Sequence, residues 1–235
     1  MANSIYWTQI ISDNLPMWLS GIWQTFWLVG LSLLIGLCIA IPCGVLLASR
    51  CSVIWKLPVM IYSYIFRGTP MLVQLYAFYY GIGLVIGRVP GVRDFILWPL
   101  MRQAWPWVLL AFILNTAAYT LEIVRGAIET TPHGEIDAGK AMGMTRGQIR
   151  RRIIFPGALR RALPSYGNEI IFMLHGSAIA STATLLDITG VANNLYTRYY
   201  EPFVPFLTAA VIYLCITLCI VGIFRTIEKR LNISL

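Results

Sequence analysis

The sequence predicts an all-α integral membrane protein of about five spans, on three observations. Of 235 residues, 58% are hydrophobic and only 12% are charged, whereas a soluble domain carries about a quarter charged residues. Mean hydropathy is +0.71, and several apolar runs reach the roughly twenty residues that a helix needs to cross a bilayer core. Residues 26–48 and 206–224 stay apolar at odd and even positions alike, which excludes the period-two alternation of a transmembrane β-barrel.

Taken in order, the spans fall at about 21–48, 58–86, 105–124, 164–186 and 203–224. No Lys or Arg precedes Arg50 and no small-residue cleavage pattern precedes the first run, so that span is expected to be retained and not removed as a signal peptide. The second run exceeds one span and is interrupted by Arg67-Gly68-Thr69-Pro70, which predicts a break with a shorter helix on one side. Five spans put the termini on opposite faces. With the N-terminus outside, thirteen basic residues lie inside: Arg50, Lys56, Arg125, Lys140, Arg146, Arg150, Arg151, Arg152, Arg160, Arg161, Arg225, Lys229 and Arg230. Four lie outside, Arg88, Arg93, Arg102 and Arg198, with Arg67 inside a segment. That imbalance predicts N-out, C-in.

The net charge of +8 would suggest nucleic acid in a soluble chain, but most of it sits in one loop between spans, where a membrane surface is its partner. Cys38, Cys43, Cys51, Cys215 and Cys219 form no CxxC pair and read as small hydrophobes, with no metal site. The apolar segments share no repeat, and an odd count disfavours two inverted halves. A single transmembrane domain, 1–235, is therefore expected, with a cytoplasmic excursion at 125–164 that is too long for a simple connector.

That excursion reads as two short helices. Thr131-Pro132 with Glu135 downstream marks a start, Gly143 permits a turn, and Thr145 can cap a second helix running through Gln148, Ile149, Arg152 and Ile153 to Pro156. Arg150-Arg151-Arg152 and Arg160-Arg161 read as anchors on anionic headgroups, at about 1 kcal/mol each. The helix before Gly143 is instead rich in small residues, Ala138, Gly139 and Ala141, and suits close docking against another protein.

Two motifs carry a family resemblance. Glu135-Ile136-Asp137-Ala138-Gly139-Lys140-Ala141-Met142-Gly143, followed by Ile154-Phe155-Pro156, resembles the EAA loop of the membrane subunits of bacterial ABC importers. Asp137 departs from the usual second Ala, and Phe155 from the usual Leu. Phe66-Arg67-Gly68-Thr69-Pro70 with Gln74 and Leu75 resembles a motif of polar amino-acid permeases. Pro132-His133-Gly134-Glu135 and Asn168-Glu169 are similar to the subgroup handling histidine, lysine, arginine, ornithine and opines. The resemblance covers nearly the whole chain. It implies a type I ABC importer permease fold in a bacterial inner membrane and a pseudo-twofold heterodimer with a similar permease. It also implies two ATPase subunits that carry ATP and Mg, and a periplasmic or lipid-anchored binding protein that delivers the amino acid. No cofactor is expected on this chain, and Glu135, Asp137, Ala138, Gly139 and Gly143 become the ATPase-docking residues.

Ionisable residues within spans cost several kcal/mol unless paired or functional, which singles out Arg67, Glu122, Glu169 and His175. Asn115, Tyr119 and Glu122 recur at i, i+4 and i+7, within about 60° of one helix face. Ser165, Asn168, Glu169, His175 and Thr182 gather on one side of the fourth span, with Ser177, Ser181 and Thr184 on the other. Each candidate has a plainer reading. Glu122 sits three residues before Arg125 and fits an edge ion pair equally well. Glu169, five residues after Pro164, would complement a helix N-terminus, His175 reads as a packing residue, and Arg67 fits a self-stabilised bend. For a cationic amino acid, the acids would hold the positive groups and Arg67 the carboxylate. The candidate substrate residues are thus Arg67, Gln74, Asn115, Tyr119, Glu122, Asn168, Glu169 and Ser181.

The chain lacks a GxxxxGK[ST] phosphate loop, so the energy for transport must come from a partner. An ion-gradient-driven secondary transporter using Glu122, Glu169 and His175 is the alternative. A membrane enzyme is disfavoured because His133 and His175 sit in no catalytic pattern.

Overall fold

The chain, seen here in a computed structural model that describes residues 2–231, is helical through its long apolar runs. Among the described residues the main helices are α1 (Ala2–Asp13), α2 (Leu15–Ala48), α3 (Val53–Gly68), α4 (Met71–Tyr76), α5 (Ala104–Glu129), α6 (His133–Ala141), α7 (Arg146–Ile149), α8 (Phe155–Gly176), α9 (Ile188–Tyr199) and α10 (Phe203–Arg230). Among the described residues, α2, α5 and α10 are each long and apolar enough to cross a membrane. Two bent pairs, Val53–Gly68 with Met71–Ile86 and Arg146–Ala183 with Ile188–Tyr199, raise the number to five if each is one span. The predicted break is present: Pro70 cannot donate a backbone hydrogen bond, and it stands in extended conformation as the N-cap of α4.

Residues cluster into two units, 1–33 with 69–113 and 172–219, and 34–68 with 114–171 and 220–235. The long helices α2, α5, α8 and α10 contribute to both. In the first unit, Trp18, Ile188, Val191, Leu195 and Ala209 form a buried cluster. Gly21 lets α2 approach α9 closely, since a β-carbon there would lie 2.8 Å from Val191 Cγ2. The buried Asp187 caps α9, accepting from the Thr189 and Gly190 amides at 3.3 and 3.0 Å.

In the second unit, Ala40, Leu47 and Leu121 pack with Val59 and Tyr62, and the Tyr62 hydroxyl donates to Leu114 O. At Gly44 a β-carbon would lie 2.7 Å from Leu121 O and 2.8 Å from Val124. Small residues at such crossings let membrane helices pack backbone to backbone.

Several sequence expectations need correction. The helix that carries the fourth span extends N-terminally beyond Pro164, which lies inside α8, starting at Phe155. That span is not uniformly α-helical either: residues Ser177–Ala183 tighten into a 3-10 helix that ends at Thr184 with φ 64°, so the stripes drawn at about 100° per residue do not continue through it. Helices α1 and α9 lie outside the five predicted spans.

Candidate functional site

The end of α3 and the polar face of α5 meet in the second unit. Ser63 lies one turn before Arg67 on α3, and Asn115, Tyr119 and Glu122 project from α5 as their spacing predicted. The Ser63 hydroxyl donates to Glu122 Oε1 at 2.9 Å. Arg67 Nη1 stands 3.5 Å from the same oxygen, with 43% of the Arg67 side chain and 25% of Glu122 accessible. Tyr119 donates to Arg67 O at 3.3 Å, and its ring lies 5.7 Å from the Arg67 guanidinium carbon. Asn115, buried, donates to Phe66 O at 3.5 Å. These three α5 residues thus hold the end of α3, just before its break, against α5.

Glu122 is shared. Arg125 Nη1 stands 3.6 Å from its Oε2, and Arg125 Nε bonds Glu129 at 3.0 Å. The edge pair foreseen at i,i+3 is therefore present alongside the Arg67 contact, and two arginines balance two carboxylates. At 3.5 Å the Arg67–Glu122 pair is longer than the 2.7–2.9 Å of a tight charge-assisted hydrogen bond.

Glu169 does not join this cluster. It lies well inside α8, so the helix-N-terminus reading drawn from Pro164 falls away. Buried, it accepts from Thr116 Oγ1 at 2.9 Å, and Thr116 lies about 100° round α5 from Asn115. Asn168 is exposed on α8. Gln74 and Ser181 belong to the first unit: Gln74 donates to Thr69 O and Oγ1 at the interruption between α3 and α4, and Ser181 donates to Ala178 O one turn back. His175 pairs with Thr217 at 3.0 Å. Sequence reasoning missed Ser63 and Thr116. Ser63 carried a signal in its four-residue spacing from Arg67, while Thr116, off the Asn115, Tyr119 and Glu122 stripe, carried none.

The docking loop has well-defined geometry. Helix α6 ends in a two-bond C-terminal lock: Gly143 N donates to Lys140 O at 2.9 Å and Met144 N to Gly139 O at 3.0 Å. The lock needs a left-handed residue, and Gly143 sits at φ 74°. Thr145 then caps α7 in a reciprocal box, its hydroxyl accepting from Gln148 N and its amide donating to Gln148 Oε1. Gly139 turns inward, where a β-carbon would lie 2.8 Å from Ile153 Cδ1. Glu135, Asp137, Ala138 and Met142 are exposed. Lys140, 2.7 Å from Asp137, holds that carboxyl below the usual carboxylate range.

Residues 40–233 match the family described as the binding-protein-dependent transport system inner membrane component. The octopine transport system permease protein OccM of Rhizobium meliloti is 42% identical over 220 residues, covering 89% of this chain and 88% of that protein. The histidine/lysine/arginine/ornithine transport system permease protein HisM of Escherichia coli K12 is 42% identical over 211 residues, covering 90% and 87%. A crystal structure of an amino acid ABC transporter with histidines contains a chain that superposes at TM-score 0.81 and 31% identity, covering 93% of this chain and 95% of that one. A chain of an inward-facing methionine ABC transporter superposes at TM-score 0.75 and 20% identity, covering 93% and 98%, a likeness of fold alone.

Proposed function

Because the chain belongs to the family of binding-protein-dependent transport system inner membrane components, we propose that it lines half of the import pathway for a basic amino acid or a related opine. It is an inner-membrane permease subunit of an ABC amino-acid importer, and ATP is hydrolysed on a separate ATPase subunit. The family also works with a binding protein and a partner permease. In our reading the partner is a homologous but distinct permease, two ATPase copies serve the pair, and the binding protein delivers from outside to a chain oriented N-out, C-in. The imbalance of basic residues across the spans supports that orientation.

The observation that carries the reading is the α6 loop. Its outer face presents Glu135, Ala138 and Met142, the last 69% exposed, and its inner face is pinned through Gly139. A short helix locked at its C-terminal end and packed through Gly139 against Ile149 and Ile153 moves as a rigid handle, so closure of the ATPases is passed to α5 and α8 as rigid-body motion.

Within the membrane, the loose Arg67–Glu122 pair suits a zwitterion. The substrate carboxylate takes the Arg67 guanidinium while its ammonium takes the Glu122 carboxylate, with Tyr119 and Asn115 fixing the backbone behind them. Opening one pair to form two offsets much of the gain, which keeps binding weak, as a conduit requires.

The test is the complete transporter in vesicles with its binding protein. Arginine, lysine, histidine, ornithine or octopine should raise ATP hydrolysis severalfold, whereas neutral and acidic amino acids should not. Uptake that proceeds without any ATPase, driven by a proton or sodium gradient, would defeat the assignment. A second measurement concerns Glu169. Glu169→Gln keeps an acceptor for Thr116, so assembly should hold, and uptake of cationic substrates should fall about tenfold if its charge faces the cargo. Wild-type uptake and selectivity would remove Glu169 from the site.

A further inference from the structure

Beside the helices that carry the docking loop, the second unit holds an apolar cavity of about 500 Å³. Its walls are Leu37 and Ile41 of α2, Val124 and Ala127 of α5, and Leu159 and Ala162 of α8, with Phe155 at one end and Tyr166 at the other. None of its lining residues carries a charge.

Three features indicate what fills it. The first is length. Along α8, Phe155 to Tyr166 is eleven residues, about 16 Å at 1.5 Å per residue, or roughly one leaflet of a 30 Å hydrocarbon core. The second is direction. On α5, Thr120, Ile123, Val124 and Ala127 line the cavity, and at about 100° per residue their mean direction lies about 125° round the helix from that of Asn115, Tyr119 and Glu122. The cavity therefore opens away from the polar face assigned to cargo.

The third is charge. Phe155 follows directly on a π-helical turn, Arg150–Ile154, which places Arg151 one turn from Phe155 on the same row, with Arg152 beside it. Both are exposed, and the described ion pairs give neither an acidic partner. Arg161 folds to the same end, donating from Nε to Ala127 O at 3.1 Å and from Nη2 to Thr131 Oγ1 at 2.6 Å. An apolar slot one leaflet deep, with cations gathered at its loop end, matches a phospholipid that carries a negative headgroup.

We propose that this cavity is a binding site for one anionic phospholipid of the cytosolic leaflet, its acyl chain along α8 between α2 and α5 and its phosphate on Arg151 and Arg152. The leaflet follows from the docking-loop reading above; the site itself does not depend on it. Occupancy ties the loop end of α8 to the bilayer, so the lipid becomes part of the support beneath the ATPase handle.

The complete transporter would be placed in nanodiscs of phosphatidylcholine with 20% phosphatidylglycerol and examined by native mass spectrometry. Wild type should retain phosphatidylglycerol in preference to phosphatidylcholine. Arg151→Gln with Arg152→Gln should cut that preference by about fivefold per arginine. Ala162→Phe, which fills the slot, should abolish retention while the ATPase still copurifies. A photo-crosslinker at Leu159 should label lipid. Labelling of the partner permease, or retention indifferent to the arginine pair, would overturn the proposal. Because ATPase copurification is read separately, a failed lipid site and a failed docking assignment give different results.

Discussion

Gly143→Val is expected to strip the ATPase from the transporter and abolish uptake, while Gly143→Asn keeps both. The contrast isolates backbone conformation. Nothing lies within 4 Å of a β-carbon built at Gly143, so neither side chain meets a wall. What differs is tolerance of φ 74°: asparagine enters the left-handed region readily, whereas a β-branched residue there is a genuine outlier. An ordinary residue loses about 1–2 kcal/mol in that region, and a β-branched one loses more. Losing the lock would free Lys140 O and Gly139 O and let α6 swing from α7. ATPase copurifying with the tagged permease should fall at least tenfold for valine, with membrane insertion unchanged. Stoichiometric ATPase on the valine variant would show that docking does not need this turn.

Such a forecast was open from sequence because the signals involved are local. Gly143, Thr145 and the Thr69-Pro70 break each act through backbone geometry within a few residues, and the structure places all three as expected. The start of the fourth helix was not legible, for the opposite reason. Arg160 and Arg161 cut the apolar run short, so hydropathy started the span at Pro164, yet Arg161 is accommodated by Ala127 O and Thr131 and the helix runs on from Phe155. Helix α9 is amphipathic, and a span-length hydropathy reading does not register it. Its core row Ile188, Val191, Ala192 and Leu195 and its Asp187 cap were the available signs. At the site, the Asn115, Tyr119 and Glu122 face followed from helical period alone, but its partners did not. Ser63 reaches Glu122 across 59 residues of sequence, a contact that only tertiary packing creates. Glu169 and Glu122 read alike as intramembrane acids, yet one is hydrogen-bonded to a threonine in a buried crossing and the other stands half-open between two arginines.

That half-open setting makes Glu122 and Arg67 the residues whose loss should cost transport most and stability least. An ion pair with 43% and 25% of its side chains accessible contributes about 0–1 kcal/mol to stability. Each single change, Arg67→Gln or Glu122→Gln, should therefore leave the assembled transporter within a few degrees of the wild-type melting temperature. Uptake should nonetheless fall at least tenfold in each, because either change removes one of the two charges offered to the zwitterion. The double variant distinguishes cargo binding from simple bracing. If the pair only braces α3 against α5, replacing both charges removes the unpaired one and restores uptake toward wild type. If the pair opens to admit cargo, the double variant recovers whatever stability a single change cost and still fails to transport. Recovery of uptake in Arg67→Gln with Glu122→Gln would thus assign the cluster to structure, and continued failure in a stable, ATPase-bound complex would assign it to the path of the amino acid.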